Sequence, residues 1–424
     1  MNNKFLTEKF NLNPKAIELC FSAEEVVKPR FGDIDAIAEI NQYKVIKAMQ
    51  DNMLSDSHFG YASGYGYNDV GRDVLESIYS SVFGTESALA RVQIISGTHA
   101  LSLAMASNLK YGDELIYVTG TPYDTLLGVI GCRPARGSLI ENGVVYKEIS
   151  LMPNGNIDFD SIAKTITPKT KMVGIQRSKG YSWRNSFSIE DISQIISLVK
   201  SINKNIICMV DNCYGEFVEQ LEPSDVGADL TVGSMIKNPG GGLAPVGGYI
   251  VGNEDLVENA AARLSSPGVG REAGPSLGVA SRLLQGLFLA PTVVASSLKG
   301  AILAAEVYKQ LGFSTLPNAT DYRTCIVQAL QLNSPKSVIA FCKGIQKAAA
   351  VDSFVTPEPW QMPGYDCPVI MAAGTFIQGA SIELSADAPI RPPYNVFMQG
   401  GLTYPHAKLG VIFSVNELME QNLI

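Results

Sequence analysis

The chain has 424 residues, of which 46% are hydrophobic and 17% are charged. These proportions are typical of a large globular protein and exclude a disordered or fibrous chain. The formal net charge of -8 offers no basic surface for nucleic acid. We therefore expect a protein of two or three structural units that has no nucleic-acid partner.

Cysteine, histidine and apolar patterns exclude further classes. The seven cysteines are scattered without a Cys-x-x-Cys pair, and the three histidines lie far apart, so neither a disulfide framework nor a metal site is expected. The N-terminus lacks the apolar segment of a secretory signal. The most apolar stretch, Gly278–Tyr308, is interrupted by Arg282 and Lys299. We therefore expect no membrane-spanning helix and a cytoplasmic location.

The chain begins with a segment of helical periodicity that extends to Asn52. A loop rich in glycine and tyrosine follows at His58–Tyr67, and the next helix is predicted over Arg72–Phe83. Residues 1–52 are therefore interpreted as an N-terminal helical segment.

Short apolar runs then alternate with amphipathic stretches such as Ile189–Lys200. The runs have the length of buried strands: Val92–Ile95, Glu114–Val118, Val144–Ile149, Met172–Ile175, Ile206–Val210, Leu230–Val232 and Gly248–Val251. This alternation predicts an α/β domain over residues 53–290, with a mostly parallel seven-stranded sheet covered by helices on both faces.

The remainder of the chain differs in character. A long helix is predicted over Thr292–Leu311, and many prolines then separate short strand-like runs. Gly374–Leu384 alternates as a strand does. We interpret residues 291–424 as a smaller α+β C-terminal domain.

Asp211 is the first candidate for chemistry, because the run Ile206–Val210 delivers it at the carboxyl end of a predicted strand. Ligands of open parallel sheets bind outside these strand ends. A carboxylate there could bind a metal, a ribose or a cationic ring nitrogen, and it could equally be a structural cap.

Lys237 and Ser234 follow the next predicted strand, Leu230–Val232, and precede a glycine cluster. We expect burial at this place to lower the pKa of the lysine, which is the condition for a nucleophilic amine. A solvated lysine in a turn is the alternative interpretation.

A third motif lies at Ser96-Gly97-Thr98, where a predicted strand opens directly into a helix. Free N–H groups at a helix start bind phosphate, and Gly97 allows close approach of the backbone. The three motifs occur in the order that pyridoxal 5′-phosphate (PLP) requires. The helix start at Ser96-Gly97-Thr98 holds the phosphate, and Ser234 donates a hydrogen bond to it. Asp211 pairs with the ring nitrogen, and Lys237 forms the Schiff base.

These residues resemble the Cys/Met-metabolism branch of fold-type-I PLP enzymes. The matching positions are Val210-Asp-Asn212, Pro223, Gly227-Ala-Asp229, Ser234-x-x-Lys237 and Gly247–Gly252. Gly64–Tyr67 and Asp113–Thr125 are similar to the branch's tyrosine-bearing loops. Within the branch, the chain most resembles the bacterial methionine gamma-lyase-like or cystathionine-beta-lyase-like "aluminium resistance" proteins.

The resemblance implies roles for further residues. Tyr123 is expected to stack on the cofactor ring and to assist the leaving group, with His99 as the rival stacking residue. Tyr67 is expected to reach the phosphate of a neighbouring subunit, which implies a homodimer or homotetramer with shared active sites. Arg391, held between prolines, is the first candidate for binding the substrate carboxylate, ahead of Arg177, Arg263 and Arg271.

The chain also departs from the branch. Asp69 stands where the branch has an arginine, with Arg72 nearby, and Ile236 replaces the threonine before the lysine. Gln176–Tyr181 replaces a loop that carries an asparagine near the cofactor. These departures leave the substrate open.

The sequence therefore predicts a PLP-dependent carbon–sulfur lyase acting on a sulfur amino acid by β or γ elimination. One alternative is another PLP reaction, of the threonine-aldolase or aminotransferase kind. A second is a non-catalytic protein on the same scaffold. Dinucleotide-binding and serine-hydrolase motifs are missing from the places they require.

Overall fold

The structure is a computed structural model that describes residues 2–362 and 365–424. The chain divides into two compact units. The large unit comprises Ile40–Gly180 and Ser186–Leu289, and the small unit comprises the residues up to Glu39, Tyr181–Asn185 and Ala290–Ile424. The predicted N-terminal segment, residues 1–52, is therefore divided between the two units after Glu39.

Helices occur in both units and are numbered in chain order. They are α1 (Asn2–Phe10), α2 (Pro14–Val27), α3 (Phe31–Asp51), α4 (Val70–Phe83), α5 (Gly97–Asn108), α6 (Asp124–Ile130), α7 (Phe159–Thr165), α8 (Ile189–Ile202), α9 (Glu254–Leu264), α10 (Ala280–Gln310), α11 (Pro335–Ala348) and α12 (Tyr404–Glu420). Helix α8 shows how the sequence determines where a helix begins and which face it buries. Ser188 and Asp191 form a capping box at its start, and its buried face repeats isoleucine and valine at helical spacing.

In the described part of the large unit, seven strands form one sheet. They are β1 (Ser87–Arg91), β2 (Glu114–Tyr117), β3 (Val145–Glu148), β4 (Thr170–Gln176), β5 (Ile207–Asp211), β6 (Leu230–Ser234) and β7 (Gly248–Gly252). Their order is β1-β7-β6-β5-β4-β2-β3, and β7 is antiparallel to both neighbours while the remaining pairs are parallel. The predicted mostly parallel seven-stranded sheet is confirmed.

Two apolar clusters cover the two faces of this sheet. One packs α5 and α9 against inward residues such as Met209 and Val232. The other packs α8 against residues such as Val173 and Val210. Because both faces are buried, the central strands are almost continuously hydrophobic, which is the pattern that the sequence shows.

The small unit contains an antiparallel sheet, as the prediction of a smaller α+β domain required. Its five described strands are β8 (Ser314–Leu316), β9 (Gln328–Gln331), β10 (Val369–Ala372), β11 (Ser385–Pro389) and β12 (Asn395–Gln399), in the order β10-β11-β12-β9-β8. Helices α11 and α12 pack against each other beside this sheet.

Two strand predictions are wrong. Val92–Ile95 is a turn after β1, in which the Ile94 N–H donates to the Arg91 carbonyl at 3.3 Å, and the strand lies at Ser87–Arg91. Gly374–Leu384 consists of turns that end where β11 begins. Both segments bury some apolar side chains, such as Ile94 and Ile382, and expose others, such as Ile95 and Phe376. A short apolar pattern does not distinguish such a loop from a strand.

Helix α10 is long and apolar enough to cross a membrane by composition alone. In its most apolar window, 72% of the residues are buried inside the protein. This burial is the state of a core helix, so the length and hydropathy of α10 carry no evidence of a membrane.

Candidate active site

Three strand ends place the candidate site at the carboxyl edge of the large sheet. Asp211 closes β5 and pairs in register with Gln176, the last residue of β4, while Ser234 closes β6. The Asp211 carboxylate is buried, and its Oδ1 accepts the Cys213 N–H at 3.1 Å. Burial raises the pKa of Asp211 above its ordinary value, while the nearby Lys237 opposes the change.

Lys237 lies between β6 and β7, three residues after Ser234. It is partly exposed, and its amine interacts electrostatically with Asp211. Burial by itself lowers the pKa of Lys237, but four acidic neighbours, Cys213, Tyr214, Asp211 and Glu216, together raise it above its ordinary value. Burial therefore acts in the expected direction, but the net lowering of this pKa that the sequence predicted is wrong, because the sequence did not reveal these neighbours.

Helix α5 begins at Gly97, directly against Ser234. A Cβ atom added to Gly97 would lie 3.2 Å from Ser234 Cβ and 3.3 Å from Cys213 Sγ, so the glycine allows close contact. The first N–H groups of a helix have no acceptor inside the helix. Gly97 and Thr98 therefore offer N–H donors beside the Ser234 hydroxyl, an arrangement suited to a phosphate.

The side chains of Ser96 and Thr98 have local hydrogen bonds. Ser96 caps α5, with its Oγ accepting the His99 N–H at 3.1 Å. The Thr98 hydroxyl lies 2.9 Å from the hydroxyl of Thr125 at the start of α6. Ser96 thus stabilises the first turn of α5, and Thr98 joins that turn to the start of α6.

Both candidate stacking residues lie at the same edge of the sheet. The Tyr123 N–H donates to Gln176 Oε1 at 2.6 Å, which ties the tyrosine to the end of β4. The His99 ring turns back, so that its Nδ1 accepts the Ile95 N–H at 3.2 Å. Tyr123 therefore has support from the strand that neighbours Asp211, and the choice between the two residues stays a prediction.

Tyr214 is a site residue that sequence reasoning missed. The Lys237 Nζ atom lies 4.1 Å from the centroid of the Tyr214 ring. Tyr214 also has a positive φ of 74°, a strained conformation for a large side chain. The sequence does show an aromatic residue three positions after Asp211, in the loop that follows β5, and this position could have indicated a contact with the lysine.

The segment that departs from the branch contributes a buried ion network. Arg177 is fully buried and donates to Asn212 Oδ1 at 2.7 Å and to Glu219 Oε2 at 2.6 Å. Glu222 lies 3.8 Å from the same guanidinium and accepts from Asn212 at 2.8 Å. Arg177 is thereby occupied by protein carboxylates and is ill suited to bind a substrate carboxylate.

The remaining arginine candidates differ in exposure. Arg391 is exposed in the turn between β11 and β12, within the small unit. Arg271 forms an ion pair with Glu258 at 2.5 Å, and Arg263 is exposed near the end of α9. The assignment of Arg391 to the substrate carboxylate stays a prediction.

Around Tyr67, the structure explains the departure at Asp69. The Asp69 carboxylate caps α4 by accepting the Arg72 N–H at 3.0 Å, and it also accepts the Ser276 N–H at 2.6 Å. Arg72 donates to the carbonyls of Gly66 and Glu272. Tyr67 is 59% exposed and stacks on Tyr65 with ring centroids 5.6 Å apart, so its side chain is available to another molecule.

The donor set fits PLP. An amine, a buried carboxylate, first-turn N–H groups and a serine hydroxyl converge at one sheet edge, with aromatic residues beside them. Within residues 2–362 and 365–424, no group of three or more His, Cys, Asp or Glu side chains is placed to hold a metal ion.

Comparisons with known proteins agree with this arrangement. A family model described as methionine gamma-lyase matches residues 16–419. The "Uncharacterized protein YnbB" of Bacillus subtilis (strain 168) is 53% identical over 393 residues, which cover 92% of this chain and 93% of that protein.

Solved structures show the same fold. A carbon-sulfur lyase involved in aluminum resistance from Clostridium novyi NT has a TM-score of 0.94 and 46% identity, covering 98% of each chain. A pyridoxal-5′-phosphate dependent protein, YhfS from Escherichia coli, has a TM-score of 0.61 at 14% identity, covering 91% of this chain and 97% of its own. The predicted fold class is thereby confirmed.

Proposed function

This chain belongs to the methionine gamma-lyase family, and from that premise we propose that it is a PLP-dependent carbon–sulfur lyase acting on a sulfur amino acid of the cystathionine or methionine type. One observation carries the proposal. Lys237 and Asp211 share a site at the carboxyl edge of the sheet, beside the first turn of α5.

Each group has a place for one part of the cofactor. The N–H groups of Gly97 and Thr98 and the hydroxyl of Ser234 would hold the phosphate, and the buried carboxylate of Asp211 would pair with the ring nitrogen. When bound, PLP supplies an electron sink for charge that develops at the substrate α-carbon. The ring face would lie against Tyr123 or His99.

Lys237 is the group that would anchor the cofactor and then move the proton of the substrate α-carbon. Its amine interacts electrostatically with the buried Asp211 carboxylate. Tyr214 lies against the amine and limits the directions in which the lysine side chain can swing. Tyr123 would assist the departing sulfur, and Arg391 would bind the substrate carboxylate.

The decisive experiment compares the protein with Lys237→Ala, and with Lys171→Ala as a control at an exposed lysine of the same unit. We expect the wild type and the control to show the absorbance of lysine-bound PLP, and Lys237→Ala to lose it. Retention of both the absorbance and the activity by Lys237→Ala would contradict the proposal.

A product screen separates the reactions. Cystathionine, methionine and threonine are presented one at a time, and pyruvate, 2-oxobutyrate and glycine are assayed. Pyruvate or 2-oxobutyrate from a sulfur amino acid supports elimination, whereas glycine from threonine supports an aldolase. Absence of any turnover by protein that binds PLP supports a non-catalytic role.

A further inference from the structure

Behind the lysine strand lies a carboxyl group that the proposed reaction does not use. Glu216 is fully buried, and its Oε1 accepts the Tyr249 hydroxyl at 2.8 Å. Its Oε2 is also buried and has no hydrogen-bond partner among the described residues. A buried carboxylate oxygen without a donor is costly, whereas a neutral carboxylic acid in the same place costs much less.

The carboxyl packs directly on the strand that leads to Lys237. A Cβ atom at Gly233 would lie 2.7 Å from Glu216 Oε1 and 2.6 Å from the Tyr249 hydroxyl. Glu216 is also tied to the residue after the lysine, because Asn238 Nδ2 donates to the Glu216 carbonyl at 3.0 Å. Glu216 therefore contacts the chain on both sides of Lys237, at Gly233 before it and at the Asn238 side chain after it.

Charge balance determines the state of this group. Arg177 is engaged by Glu219 and Glu222. Lys237 interacts electrostatically with both Asp211 and Glu216, but no cation lies within ion-pair distance of Glu216 in the described part of the chain. An ionised Glu216 would thus be a buried negative charge without an ion-pair partner.

The titratable groups that face Glu216 come from four elements. They are Tyr249 on β7, Tyr79 on α4, Cys213 and Glu222 in the segment after β5, and Lys237 after β6. Burial raises the pKa of Glu216 to about 8, Glu222 adds to this rise, and the Tyr249 hydroxyl and Lys237 oppose it.

We propose that Glu216 is a positioning residue for Lys237, held as a neutral carboxylic acid behind Gly233, and that its ionisation raises the proton affinity of the lysine nitrogen. This inference rests on the proposed function in one respect, namely that Lys237 is the reactive amine. The site would then have two carboxyl groups: Asp211, which pairs with the cofactor, and Glu216, which packs against β6 at Gly233.

The first test is infrared spectroscopy of the full-length protein near neutral pH. We expect a carbonyl band of a protonated carboxyl in the wild type that Glu216→Gln removes. Tyr249→Phe, which deletes the donor to Oε1, should keep the band to a higher pH than the wild type. If Glu216→Gln leaves the protonated-carboxyl band unchanged, Glu216 is ionised in the wild type, and the proposal is wrong.

The second test follows the pH titration of the absorbance of PLP bound at Lys237. Glu216→Gln keeps the shape of the side chain but never acquires a charge, so its midpoint should fall by about one pH unit, roughly tenfold in proton affinity. Glu190→Gln, at an exposed position on α8, is the control and should titrate as the wild type does.

The two proposals fail in different ways. If wild type and Glu216→Gln bind PLP and titrate alike, Glu216 does not act on Lys237. If neither protein binds PLP at Lys237, the proposed function fails, and the infrared result still decides whether Glu216 carries a proton.

Discussion

At the scale of single residues, the candidate site contains buried charges whose neighbours carry the opposite charge. The buried Asp211 interacts electrostatically with the partly exposed Lys237, and the buried Arg177 forms ion pairs with Glu219 and Glu222. The partner of a buried charge determines whether that charge can be tolerated. The site residues should therefore respond to substitution in pairs.

Glu219→Gln tests this balance. The variant removes the carboxylate 2.6 Å from the fully buried Arg177 guanidinium and leaves the cation with the more distant Glu222, 3.8 Å away. We expect the free energy of unfolding to fall by about 3–5 kcal/mol, measured by urea denaturation. Glu190→Gln, at an exposed carboxylate, should change it by less than about 0.5 kcal/mol. Equal stability of the two variants would contradict the assignment of Arg177 as charge-matched.

At the scale of elements, the site depends on how closely β6 approaches its neighbours. Gly97 permits contact between α5 and Ser234, and Gly233 permits contact between β6 and the Glu216–Tyr249 pair. Neither requirement comes from backbone conformation, because neither glycine has a positive φ. Both positions require glycine because a Cβ atom would crowd the neighbouring side chains.

Gly233→Ala should therefore destabilise the protein. Its added Cβ would lie 2.6 Å from the Tyr249 ring, in a buried strand register that cannot shift easily. We expect a loss of about 1–3 kcal/mol in thermal or urea unfolding. Gly32→Ala, in α3 with no atom within 4 Å of the added Cβ, should be neutral or slightly stabilising. A Gly233→Ala protein as stable as the wild type would show that the strand relaxes freely.

At the scale of the whole molecule, the large unit exposes aromatic side chains that a monomer has no reason to keep. Tyr61 and Tyr65 are 74% and 75% exposed, Tyr65 stacks on the exposed Tyr67, and Tyr61 lies against Gly278, next to the exposed Leu277. Exposed apolar patches of this kind mark interaction surfaces. We propose that a second copy of the chain covers this patch, with Tyr67 directed to the partner's phosphate site.

Sedimentation of Tyr65→Asp tests the patch. A charge placed there should convert the wild-type oligomer into a smaller species, since burial of the new carboxylate in an interface is unfavourable. Tyr111→Asp, at an 88% exposed tyrosine elsewhere in the large unit, is the control and should leave the oligomer intact. A wild-type protein that sediments as a monomer would contradict the proposed association.

The sequence predicted the central strands of the large sheet accurately. The run Ile206–Val210 corresponds to β5, and Leu230–Val232 lies within β6, because strands buried on both faces must be apolar throughout. It failed at Val92–Ile95 and Gly374–Leu384, where partly buried loops carry the same apolar pattern. Tyr214 was missed because its position relative to Lys237 depends on a single strained turn.

The sequence by itself determined the alternation of strands and helices and the order of the chemical groups along the chain. Both can be predicted from the local periodicity of apolar residues and from the spacing of the motifs. Only the tertiary structure decided which charges meet: it raised the pKa of Lys237 through four acidic neighbours, occupied Arg177 with two glutamates and buried Glu216 behind Gly233. Electrostatic interactions depend on distance and burial, and neither quantity exists until the strands have been brought side by side.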